Sequence, residues 1–87
     1  MQTKEVEIKA PHGLHLRVAA QIVRQTKNSQ AKIVFYKDGK KANAASILEL
    51  LVLAAPENSV VKITAVGKDE HKAIQEVSEI LTDGAGI

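Results

Sequence analysis

The sequence predicts an α+β two-layer open-faced sandwich of order βαββαβα, in which a four-stranded antiparallel sheet carries three helices on one face. Two kinds of spacing and the chain length carry that prediction. Apolar and polar residues alternate in stretches such as Glu5-Val6-Glu7-Ile8-Lys9, the pattern of a strand with one wet face. Elsewhere apolar residues return every third or fourth position, as in Ala19, Ile22, Val23 and Thr26, the pattern of a helix with one buried stripe. A chain of 87 residues has material for one modest core, so residues 1–87 read as a single domain.

Residues 2–9 make the first predicted strand, and Pro11, His12 and Gly13 break it. The first helix runs over 16–27, with Arg17, Gln21, Arg24 and Asn28 as its polar stripe. Residues 32–37, which include Ile33, Phe35 and Tyr36, form the second strand. Asp38-Gly39 then signals a tight turn into a short third strand over 40–43, which completes a hairpin. Ser46 followed three residues later by Glu49 reads as a capping box, the serine hydroxyl accepting the Glu49 amide and the glutamate returning the bond. It opens a leucine-rich helix over 46–53, and Pro56 closes that region. Residues 59–66 set Val61, Ile63 and Ala65 against Val60, Lys62 and Thr64, a fourth strand. After Gly67, Asp69 stands where it can cap a last helix with Ala73, Ile74, Val77, Ile80 and Leu81 inward, ending near Gly84.

Composition removes several function classes. Lys and Arg number 12 against 10 Asp and Glu, a net charge of +2 spread along the chain, so no basic block marks a nucleic-acid or anionic-membrane surface. Phe35 and Tyr36 are adjacent and fall on opposite strand faces, which leaves no platform for stacking bases. The absence of cysteine excludes disulfides, thiolate zinc sites and thiol catalysis, and three dispersed histidines lack ligand spacing, so neither metal nor cofactor is expected. The first residues alternate without an apolar h-region, and no run approaches the roughly 20 apolar residues of a spanning helix. The expectation is a cytoplasmic monomer without membrane insertion.

One segment, Pro11-His12-Gly13-Leu14-His15-Leu16-Arg17-Val18-Ala19-Ala20, concentrates the chemistry. Gly13 lets the chain turn, His15 falls just before the first helical turn, and Arg17 follows. The first amides of a helix lack partners and carry partial positive charge, so an anion at position 15 would meet the Leu16 and Arg17 N–H groups. The Arg17 side chain can add a charge-assisted contact. Histidine itself can attack phosphorus as a nucleophile and leave again. His12 reads as an exposed loop residue within reach of assisting His15, and His71 as surface.

Gly13-Leu14-His15-Leu16-Arg17-Val18-Ala19 resembles the active-site motif of the HPr family, the histidine phosphocarriers of the bacterial phosphoenolpyruvate:sugar phosphotransferase system. The similarity runs over the whole chain and includes Asn43-Ala44-Ala45-Ser46-Ile47-Leu48-Glu49-Leu50-Leu51. It implies phosphorylation of His15 on Nδ1 by the first enzyme of the system, Arg17 at the phosphate, and delivery to a downstream acceptor protein, sugar-specific or regulatory. It also makes Ser46 a candidate for an ATP-dependent serine kinase/phosphorylase. A docking surface would comprise Leu16, Ala20, Arg24, Lys27, Ile47, Leu48 and Leu51, although the apolar members read equally well as core and the basic ones as a solvated face. The family commonly has alanine in place of Leu16 and, in place of Val18, proline, whose missing N–H is harmless at a helix start. A regulatory module switched at Ser46, without carrier activity, is the alternative reading.

Overall fold

A computed structural model describes residues 1–83, so the predicted helix end near Gly84 lies outside the described residues. The elements are β1 (Gln2–Glu7), α1 (Leu16–Lys27), β2 (Ala31–Lys37), β3 (Lys40–Asn43), α2 (Ile47–Leu53), β4 (Val60–Gly67) and α3 (Glu70–Asp83). The strands form one antiparallel sheet in the order β1-β4-β2-β3.

Register turns the alternation of each strand into one shared apolar face. Val6 lies opposite Val61, Ile33 opposite Ala65, and Phe35 opposite both Ile63 and Ala42, and all of these are buried. A one-residue slip of any strand would turn its buried set toward water. The helices cover this face with Val18, Ala19, Ile22, Val23 and Thr26 of α1, Leu50 and Leu53 of α2, and Ala73, Ile74, Val77, Ser78 and Leu81 of α3. Ile80 is half-buried, and Ser78 is satisfied within its helix by donating to the Ile74 carbonyl at 2.6 Å. The hairpin between β2 and β3 turns at Asp38 (φ +53) and Gly39 (φ +78), the paired left-handed angles of a type I′ turn. Among the described residues no helix is long and apolar enough to cross a membrane.

The structure corrects the predicted cap chemistry. Asp69 stands at the start of α3 and its carbonyl accepts the Ala73 N–H, but its carboxylate accepts the Gln30 N–H (3.0 and 3.2 Å) and so ties the helix to the α1–β2 connection. At α2 the Ser46 hydroxyl does accept the Glu49 N–H, at 3.3 Å. Glu49 does not return the bond: its carboxylate accepts the Asn43 N–H at 2.8 Å, while the Ser46 N–H donates to the Asn43 carbonyl at 3.0 Å. The first strand also ends at Glu7 rather than at residue 9. Ile8 remains buried and bonded to Ser59 and Asn58, whereas the Lys9 and Ala10 amides donate to the Leu81 carbonyl on α3.

Candidate functional site: the opening of α1

The chain reaches α1 through a turn that is anchored from two sides. The Gly13 N–H donates to the Ala10 carbonyl at 2.9 Å, and the Leu14 N–H donates to the Ala55 carbonyl at 2.8 Å, with the Leu14 side chain in the core. Gly13 has φ +71, and a Cβ there would lie 2.4 Å from the Ala55 oxygen and 2.7 Å from the Glu57 nitrogen. Only glycine fits this approach of one backbone to another.

His15 follows in extended conformation (φ −96, ψ −179) as the N-cap of α1. Its carbonyl accepts the Ala19 N–H at 2.8 Å, and its Nδ1 accepts the Arg17 N–H at 3.2 Å. A nitrogen that accepts carries no proton, so this hydrogen bond assigns the ring proton to Nε2. The Nε2 edge is buried and has no hydrogen-bond partner among the described residues. The first turn of α1 holds no acidic residue, and Arg24 and Lys27 occupy its last turn. The positive end of the helix dipole is therefore not neutralised where Nδ1 faces it, which favours an anion at that atom.

The other predicted residues separate by exposure. Leu16 (61% exposed) and Arg17 project from the first turn, Arg24 and Lys27 are exposed farther along, and Ala20 is half-buried. Val18 is fully buried and serves as a core anchor. On α2, which packs against α1, Leu48 is 72% exposed, Ile47 lies at the margin of exposure, and Leu51 is half-buried against the core. Val52, not singled out from the sequence, is 64% exposed and with Leu48 lines a shallow groove bordered by Lys40, Lys41, Glu49 and Leu53. The signal for it was the four-residue spacing from Leu48, which repeats one helix face away from Leu50 and Leu53.

His12 is exposed and its ring meets the His15 ring edge to face, with centroids 6.2 Å apart and planes at 73°. His71 lies elsewhere, hydrogen-bonded to Gln2. Among the described residues no group of three or more His, Cys, Asp and Glu is arranged to hold a metal ion.

A helix-backed antiparallel sheet with a hydrogen-bond-accepting imidazole nitrogen at an unneutralised helix start belongs to the class of small α+β domains able to hold an anion at a helix opening. Comparison with known proteins makes the assignment specific. Residues 2–83 match the family described as PTS HPr component phosphorylation site. Phosphocarrier protein HPr of Buchnera aphidicola subsp. Acyrthosiphon pisum is 40% identical over 83 residues, covering 95% of this chain and 98% of that protein. A crystal structure of HPr from Thermoanaerobacter tengcongensis superimposes with a TM-score of 0.93 at 36% identity, covering 100% of this chain and 98% of that one. Crh, the catabolite-repression protein of Bacillus subtilis, superimposes with a TM-score of 0.77 at 32% identity over 97% of both chains, and that structure is a domain-swapped dimer. The chain belongs to the HPr family of phosphocarriers, components of the phosphotransferase system.

Proposed function

We propose that the phosphoryl group rides on Nδ1 of His15. The Nδ1 lone pair attacks phosphorus in line as the bond to the donor's leaving atom breaks, and the reverse displacement delivers the group to the next protein. The hydrogen bond from the Arg17 N–H to Nδ1 at 3.2 Å carries this reading, because that amide already points at the atom where charge arrives. The Leu16 amide and the Arg17 guanidinium complete the stabilising set. The donor is the first enzyme of the phosphotransferase system, with phosphoenolpyruvate as ultimate source, and the acceptor is a sugar-specific or regulatory protein.

Leu16, Ala20, Arg24, Lys27, Ile47, Leu48 and Leu51 supply the surface on which these partners dock in turn. An apolar patch ringed by basic residues suits acidic partners, which the charges steer toward it. We further propose that residues 1–87 act as one cytoplasmic, monomeric unit, with Ser46 open to an ATP-dependent serine kinase/phosphorylase. The test is incubation with the first enzyme and phosphoenolpyruvate followed by intact mass. One acid-labile phosphate is expected in the wild type and none in His15→Ala; a wild type that gains no mass overturns the proposal.

The likeness to Crh and the departures at Leu16 and Val18 favour a second reading, a regulatory module switched at Ser46. ATP-dependent phosphorylation of Ser46 with none at His15 would decide for it, and size-exclusion with light scattering separates monomer from dimer.

A further inference from the structure

His12 occupies the left-handed position of a tight turn, which glycine would fill without strain. The bond from the Gly13 N–H to the Ala10 carbonyl closes a turn in which Pro11 is second and His12 third, and His12 has φ +68 there. A left-handed third residue after proline is the pattern of a type II turn, a place that glycine fills freely, asparagine readily, and histidine at some cost in strain. Backbone strain of this kind persists where surrounding contacts offset it, and it concentrates at functional sites. Beside this side chain lies the ring of His15, 6.2 Å away between centroids and at 73° between planes, within the range of an edge-to-face aromatic pair.

Phosphorylation changes what orients the His15 ring. Before it, the Arg17 N–H on Nδ1 supplies a directional restraint. Once the Nδ1 lone pair has become the N–P bond, the nitrogen accepts no hydrogen bond, and the amide faces a phosphoryl oxygen instead. Nε2, at the buried edge, meets no partner among the described residues. We infer that His12 is a positioning residue that keeps the phosphorylated His15 ring oriented by edge packing and covers one side of it against water. The inference rests on His15 as the phosphorylated residue and deepens that reading: His12 governs how long the phosphohistidine survives.

Three variants separate this role from a structural one. His12→Gly and His12→Asn suit the left-handed turn, so each keeps or raises the thermal midpoint, whereas His12→Phe restores a ring. The phosphoprotein is prepared with the first enzyme and phosphoenolpyruvate, freed of both by gel filtration, and followed by loss of phosphate at fixed pH. The Gly and Asn variants are expected to lose phosphate about three- to tenfold faster than wild type, the range of an aromatic edge contact, and Phe to return most of the lifetime. In the unphosphorylated proteins, NMR of the His15 ring protons should move in Gly and Asn as the neighbouring ring current disappears. Wild-type lifetimes in Gly and Asn, or unmoved His15 ring protons, overturn the inference. A wild type that takes no phosphate overturns the carrier reading instead, and the ring-proton shifts still decide whether His12 holds the ring.

Discussion

At the scale of single residues, the site depends on local bonds and on one long-range seat. The Arg17 amide and His15 Nδ1 are two positions apart, within reach of each other once the helix starts just after His15. That part of the site is legible in the sequence. The seat of Gly13 on the 55–57 backbone is not, because its partners come from the far side of α2 and no local rule names them. Gly13→Ala tests the seat. A methyl group 2.4 Å from the Ala55 oxygen, at φ +71, must push one loop away from the other. The expected cost is about 2 kcal/mol or more, seen as a drop of roughly 8 °C or more in the thermal midpoint. His15 hangs on the same loop, so phosphoryl uptake by the variant should slow as well. An unchanged midpoint would mean that the two loops part freely.

At the scale of elements, the order and the buried stripes follow from the sequence because periodicity is a local property. Every predicted strand and helix forms, with ends displaced by a residue or two where a tertiary bond outcompetes the pattern. Lys9, for example, lies beyond the strand and bonds Leu81 on α3. The acidic side chains near the helix starts bond outside their own helices for the same reason. Asp69 and Glu49 occupy capping positions in sequence, but in the fold the free amides of Gln30 and Asn43 lie closer to their carboxylates. Amide hydrogen exchange separates the two arrangements at α2. Glu49→Ala should speed exchange of the Asn43 amide several-fold and leave the Ser46 amide, held by the Asn43 carbonyl, at its wild-type rate. A mutual capping box would give the opposite pair of results. Ser46→Ala removes the hydroxyl that receives the Glu49 amide and should cost about 1 kcal/mol in chemical denaturation.

At the scale of the whole molecule, stability should depend on pH through the place where three segments meet. Glu70, in the first turn of α3, accepts the Gly67 N–H at the end of β4 (3.1 Å) and pairs with the Met1 amine at 3.0 Å, beside the start of β1. Gly67 is itself pressed against the Gln30 carbonyl, 2.4 Å from where a Cβ would stand, so the junction has little room to rearrange. The Gly67 amide, and after it the Met1 amine, hold the Glu70 carboxyl below its ordinary value of 4.5, and the neighbouring Lys37 does the same for Asp38 at the hairpin tip. A carboxyl depressed in the folded state binds fewer protons there than in the unfolded chain. Its contribution is therefore present above the ordinary value and disappears as pH falls through the folded one. Glu70→Gln should lower stability at neutral pH and flatten the acid limb, so that the two stability curves converge as pH falls below the ordinary value of 4.5 and through the depressed one. Added salt should narrow the gap at neutral pH, because the Met1 amine of the pair is exposed and its charge is screened. Denaturation midpoints from neutral pH to about pH 2 would show this, and curves that stay parallel over that whole range would mean that Glu70 does not couple the junction to protons.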